Sequence, residues 1–123
     1  MNNQLSKSLE DYLEIIYLLN IEKNEARVKD IAMRLGVSLP SVTEMVRKLA
    51  KKGLVKYERY GIVELTVKGE AMAKNVYKKH EVLTNFFLSI GIDKTTAMHD
   101  ACLAEHVLSR KTISKINEFI GSS

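Results

Sequence analysis

Tryptophan is missing from these 123 residues, and the chain has a single proline and a single cysteine. One cysteine cannot close an internal disulfide, which agrees with a reducing, cytoplasmic setting. There is no Cys-x-x-Cys pair, and one cysteine with three histidines is too few for a closed tetrahedral zinc site. His-Glu-x-x-His and a glycine-rich phosphate loop are also lacking, which removes the common signatures of zinc peptidases and nucleotide hydrolases. No apolar run approaches the roughly 18 residues a membrane helix needs. The polar start, Met1-Asn2-Asn3-Gln4-Leu5-Ser6-Lys7, is unlike a secretory leader. With few breakers and 46% hydrophobic residues, the sequence predicts a mainly α-helical protein with one or two small cores.

What is present is concentrated positive charge. Residues 27–59 hold nine Lys/Arg (Arg27, Lys29, Arg34, Arg47, Lys48, Lys51, Lys52, Lys56, Arg59) against three acids (Asp30, Glu44, Glu58). That third of the chain carries +6, so the remainder sums to −2. A local basic surface is the electrostatic footprint of a nucleic-acid partner, although a solvated helix face can look the same.

Helical periodicity is clear in several stretches. Leu5, Leu9, Tyr12, Leu13, Ile16 and Leu19 mark a first helix over 5–21. Val28, Ile31, Ala32 and Leu35 mark a second over 28–35, with Gly36 where a left-handed cap belongs. Ser38 suits the N-cap of a third, and Pro40 is tolerated in its first turn because no intrahelical N–H bond is lost there. Val42, Met45, Val46 and Leu49 form its inward stripe, and Gly53 closes it. Two β-prone runs, 54–59 and 62–66, flank Tyr60-Gly61 as a hairpin. A long helix follows over 69–90 and stops at Gly91; Asp93 or Thr95 starts another through Leu108, and Ser109 or Thr112 a last one through Ile120. The expected organisation is an N-terminal winged helix-turn-helix with a small β-hairpin wing (1–69), then a helical dimerisation domain (70–123).

In a helix-turn-helix the second helix enters the major groove with its N-terminal residues leading. Ser38, Pro40, Ser41 and Thr43 would then approach base edges or nearby phosphates, while Arg47, Lys48 and the wing residues Lys56, Arg59 and Tyr60 hold the backbone. Glu44 is the awkward member, because a carboxylate repels phosphate. Winged modules also serve as protein-docking domains, so a winged-helix interaction module with no metal sensing is the competing reading.

Cys102-Leu103-Ala104-Glu105-His106 holds the densest chemistry. At i, i+3 and i+4 on a helix, Cys102, Glu105 and His106 would leave one face together. Thiolate, carboxylate and imidazole suit a borderline transition metal better than Mg²⁺ or Ca²⁺, which favour all-oxygen shells. Asp11 and Glu14, three apart on the first helix, and His80 on the long helix are the candidate companions. His99 lies one residue off the best ligand face. As a nucleophile and base, Cys102 and His106 come with no oxyanion hole, so an enzyme is not expected.

These residues resemble the diphtheria toxin repressor family of metal-dependent regulators, and in length its short manganese-regulator branch. The motifs that carry the resemblance are Glu10-Asp11-Tyr12-Leu13-x-x-Ile16-Tyr17, Asp30-Ile31-Ala32-x-x-Leu35, Leu65-Thr66-x-x-Gly69, Lys79-His80 and Ala101-Cys102-x-x-Glu105-His106-x-x-Ser109. The resemblance implies homodimers that bind a palindromic operator in double-stranded DNA when loaded with Mn²⁺ or Fe²⁺, one or two per subunit. No membrane and no small organic substrate are implied. It also implies that Asp11 and Glu14 match carboxylates of the manganese branch, and that His80, Glu105 and His106 match ligand positions shared across the family. Cys102 instead matches the iron branch, where the position of Asp11 is a methionine. Thr84 and Met98 stand where the iron branch has a further carboxylate and histidine, and the chain stops before the SH3-like third domain of longer members.

Overall fold

The computed structural model describes residues 5–58 and 61–121. Six helices and three short strands occur among them: α1 (Lys7–Lys23), β1 (Ala26–Arg27), α2 (Val28–Leu35), α3 (Leu39–Lys51), β2 (Val55–Tyr57), β3 (Ile62–Leu65), α4 (Val67–Ser89), α5 (Lys94–Ala104) and α6 (Arg110–Gly121). They fall into two units, 1–74 and 75–123, with the division inside α4.

In the first unit, Ser6 starts α1 by accepting the Leu9 amide on its hydroxyl at 3.2 Å, which satisfies one of the first-turn donors. The core side of α1 then repeats Leu9, Leu13, Ile16 and Leu19, all buried. Ile31 of α2 and Val42, Val46 and Leu49 of α3 complete that core and are fully enclosed. Each such side chain contributes about 1.5–3 kcal/mol on leaving water. Met45, expected in the same inward stripe, is only half-buried.

The turn between α2 and α3 depends on Gly36, whose φ of +68° lies in the left-handed region. Its amide bonds back to the Ala32 carbonyl at 2.9 Å, so α2 closes and the chain reverses at once. Ser38 then caps α3 through the Ser41 amide at 3.3 Å, with Pro40 in the first turn. These were the local signals available in the sequence, and the helix-turn-helix follows from them.

The wing is larger than the expected hairpin. β2 and β3 pair antiparallel with Val55 opposite Leu65 and Tyr57 opposite Val63, but β1 adds a third strand on the far side of β3, with Ala26 opposite Val63. The sheet order is β1-β3-β2. Two residues are too short for an alternating pattern, so β1 left no signature; it forms because Ala26 is buried beside β3.

The second unit has its own core of Val82, Leu83, Ala101 and Ile113. Gly91, at φ +97°, ends the turn after α4, and Asp93 caps α5 by accepting the Thr96 amide at 3.0 Å. The expectation that α5 runs to Leu108 is corrected: it ends at Ala104, and Glu105–Val107 form a turn. The Val107 and Leu108 amides both reach the Ala104 carbonyl, at 3.1 and 3.0 Å. Ser109 explains the early stop. Its hydroxyl accepts the Thr112 amide at 3.1 Å to cap α6, and a cap residue takes non-helical dihedrals, so the chain must leave α5 before reaching it.

Candidate metal centre and nucleic-acid interface

The ending of α5 decides how the second unit presents its ligating atoms. Cys102 sits in the last helical turn, while Glu105 and His106 follow in the turn beyond it rather than on one helical face as expected. Glu105 is the centre of the group, with its side chain fully shielded from solvent. His80 Nδ1, from α4, lies 3.2 Å from Glu105 Oε2, and His106 Nε2 lies 3.3 Å from Glu105 Oε1. Cys102 Sγ is within 4.8 Å of a Glu105 oxygen. The His80 ring also stacks loosely on Tyr77 one turn earlier, with centroids 6.4 Å apart.

Neither Glu105 oxygen receives a hydrogen bond among the described residues. Burying a carboxylate that way costs several kcal/mol unless a proton or a cation compensates. Two imidazole nitrogens and a thiol placed around those oxygens, without hydrogen-bond alignment to them, form a donor set for a borderline divalent metal. The residues present therefore fit such an ion. Thr84 Oγ1, one turn beyond His80, is likewise buried without a hydrogen-bond partner among the described residues. His99 is mostly exposed and lies 3.5 Å from Asp100, away from this group.

In the first unit, Asp11 and Glu14 leave α1 three residues apart. Asp11 pairs with Lys7 Nζ at 3.0 Å, whereas Glu14 is buried, one of only two buried charged residues among those described. A carboxylate on the apolar side of an amphipathic helix is a costly choice with no benefit to packing. Periodicity assigned Glu14 to the polar side, and its burial could not be read from spacing. Tyr12 beside it is also buried, which pushes its phenol above the ordinary value of 10.0.

The outer side of α3 is polar and basic. Ser38, Pro40, Ser41, Arg47 and Lys48 are exposed and Thr43 half-buried, with the Ser38 and Ser41 hydroxyls 2.9 Å apart. Leu39, Pro40, Thr43, Arg47 and Lys51 line a shallow open groove along this side. Glu44 also lines it, held 3.7 Å from Lys48, and so part of its repulsion toward phosphate is neutralised. Arg47 and Lys51, four apart, have no carboxylate partner among the described residues. Lys51 was counted in the basic stretch but not among the contact residues; its i, i+4 spacing from Arg47 was the available signal. Lys56 is exposed on β2 opposite Glu64, and Arg59 and Tyr60 lie outside the described residues.

A winged helix-turn-helix with a basic leading helix, followed by a helical unit holding imidazole, thiol and carboxylate donors, defines a metal-responsive DNA-binding regulator. Residues 4–63 match the iron dependent repressor N-terminal DNA binding domain, and residues 66–123 match the metal binding and dimerisation domain of the same family. The chain belongs to the iron dependent repressor family, a family of transcriptional regulators rather than enzymes. It is 43% identical over 113 residues to the HTH-type transcriptional regulator MntR of Lysinibacillus sphaericus, covering 92% of this chain and 81% of that one. Against MntR of Bacillus subtilis the identity is 42%, covering 92% and 80%. Among solved structures, the manganese regulator SloR is 31% identical with a TM-score of 0.80, covering 94% of this chain and 54% of SloR. IdeR of T. acidophilum is 28% identical with a TM-score of 0.81, covering 98% and 56%. The chain thus spans about half the length of these two solved chains. No helix among the described residues is long and apolar enough to cross a membrane.

Proposed function

We propose that this chain is a cytoplasmic, homodimeric repressor in which a divalent metal, Mn²⁺ or Fe²⁺, ties the first helix to the C-terminal unit and so favours binding to a palindromic operator. Asp11 and Glu14 are the ligands from the winged domain (1–69); His80, Cys102, Glu105 and His106 are those from the dimerisation domain (70–123), with one or two ions per subunit. The observation that carries this reading is Glu105, a shielded carboxylate with two imidazoles within 3.3 Å and no hydrogen bond to either oxygen among the described residues. The relatives named as manganese regulators support manganese, while the Cys102 thiol leans toward iron.

A bound divalent cation supplies the positive charge that a cluster of carboxylates otherwise lacks. The rest follows from the chain itself. Glu14 and Asp11 belong to a helix whose other side, Leu13, Ile16 and Leu19, is fixed in the core that also holds Val42, Val46 and Leu49 of α3. Anything that orients α1 therefore orients the DNA-reading helix. Ser38, Pro40, Ser41 and Thr43 address base edges, and Arg47, Lys48, Lys56, Arg59 and Tyr60 grip phosphates. A ligand shifts this equilibrium only by binding the operator-competent arrangement more tightly, and a coupling of about 1–3 kcal/mol, roughly 5–150-fold in operator affinity, is ordinary for such systems.

Operator affinity measured anaerobically with and without Mn²⁺ or Fe²⁺ tests the proposal. Glu105→Gln should abolish the stimulation while far-UV circular dichroism stays unchanged. Stimulation that survives in the folded variant removes Glu105 from the site.

A further inference from the structure

The C-terminal unit holds a second concavity, and none of the candidate metal ligands lines it. Asn75, Lys78 and Lys79 of α4 face Arg110, Ser114 and Asn117 of α6 across a groove of about 360 Å³. Buried Val82 and Ile113 also line it. The spacing is the same on both helices: 75, 78, 79 and 82 on α4, then 110, 113, 114 and 117 on α6. Each set is i, i+3, i+4, i+7, one continuous helical stripe. The groove is therefore built by two whole helix faces and is not an accident of one loop.

Its charge is one-sided. Residues 75–123 contain six Lys/Arg, and three of them line this groove together with no carboxylate. Lys78, Lys79 and Arg110 form no ion pair among the described residues, whereas neighbouring Lys115 pairs with Glu118 at 3.6 Å and Lys74 with Glu70 at 3.5 Å. Three converging cations repel one another, and an anion between them removes that repulsion. Arg110 also opens α6, where the helix dipole favours negative charge. The two asparagines and Ser114 add neutral donors suited to phosphate oxygens or to hydroxyls on an attached organic group. The volume is within the range of small-molecule sites.

We propose that this groove binds a small phosphorylated anion, with Lys78, Lys79 and Arg110 holding the phosphate and Asn75, Ser114 and Asn117 completing its hydrogen bonds. The site is separate from the metal reading and stands or falls independently of it.

The test is a titration of the full chain with inorganic phosphate, pyrophosphate and a hexose phosphate, followed by amide NMR. The salt is kept near 0.15 M so that screening over about 8 Å suppresses loose surface binding. Saturable shifts confined to the groove residues are expected. The double variant Lys78→Gln/Arg110→Gln should weaken them about tenfold or more, as loss of charge-assisted hydrogen bonds does. Tighter binding of the hexose phosphate identifies an organic ligand, and equal binding identifies free phosphate. No saturable shift with any of the three overturns the proposal, as does equal binding by the double variant. If the double variant instead flattens the salt dependence of operator binding while no anion binds, the groove is a DNA-backbone contact and the proposal fails.

Discussion

Replacing Gly69 by alanine sets two effects of opposite sign against each other. Gly69 lies in the first turn of α4, where alanine's helix propensity would stabilise by about 0.8–1 kcal/mol. Yet a Cβ at this position would stand 1.9 Å from the Leu54 carbonyl oxygen and 2.8 Å from its carbon, where ordinary contact begins at 3.4 Å. The obstacle is backbone and cannot rotate away. It is also held from several sides: the Leu54 carbonyl accepts the Thr66 amide at 3.0 Å, and the Leu54 amide donates to Leu49 at 3.0 Å. Thr66 Oγ1 donates to the Gly53 carbonyl at 2.7 Å and accepts the Gly69 amide at 3.0 Å. Separating α4 from Leu54 breaks or stretches these bonds at about 1 kcal/mol each, in addition to an overpacking cost of about 1–3 kcal/mol. The steric loss wins, and a net destabilisation of about 2–4 kcal/mol is expected. Urea unfolding should show it as a midpoint lowered by about 1 M or more, given slopes of about 1–3 kcal/mol/M. An alanine variant as stable as the parent would refute the reasoning, because propensity would then have outweighed the contact.

Three further perturbations have defined outcomes. Ser6→Ala removes the acceptor for the Leu9 amide and should lower stability by about 1 kcal/mol, read from the same urea transition. Arg47→Ala should weaken binding to every DNA sequence alike and reduce the slope of log affinity against log salt by about one unit; a sequence-selective loss would instead make Arg47 a base reader. The Asp93 carboxyl is held below its ordinary 3.8, first by the Thr96 amide hydrogen bond. A depressed folded-state value means the cap contributes above the unfolded value and is lost as pH falls through the folded one. The Thr96 amide resonance should therefore report uncapping of α5 only below about pH 4, and Asp93→Asn should abolish that titration.

Local signals made the winged domain legible. Gly36, Ser38 and Pro40 each dictate their own backbone conformation, so the turn and the start of α3 could be placed from three residues. Non-local features were hidden. Ala26 and Arg27 form a strand only because β3 passes beside them. The end of α5 was obscured because apolar residues continue to Leu108, while the competing demand comes from Ser109 as the cap of the next helix. The resemblance named Gly69 as part of a motif, but only the approach of Leu54 explains why no side chain fits there. At the candidate metal centre the donors were named correctly by chemistry. The enclosure of Glu105 and Glu14 is a property of packing, which spacing does not encode.

The central claim is that one cation draws ligands from both α1 and the C-terminal cluster. Mn²⁺ titration of the full chain, read by loss of the free-ion electron paramagnetic resonance signal, tests it most directly when wild type is compared with Glu14→Gln and Glu105→Gln. Because both carboxylates are assigned as ligands, each variant should bind more weakly by about tenfold or more while remaining folded. Wild-type affinity in Glu14→Gln alongside lost affinity in Glu105→Gln would confine the ion to the C-terminal unit and contradict the account.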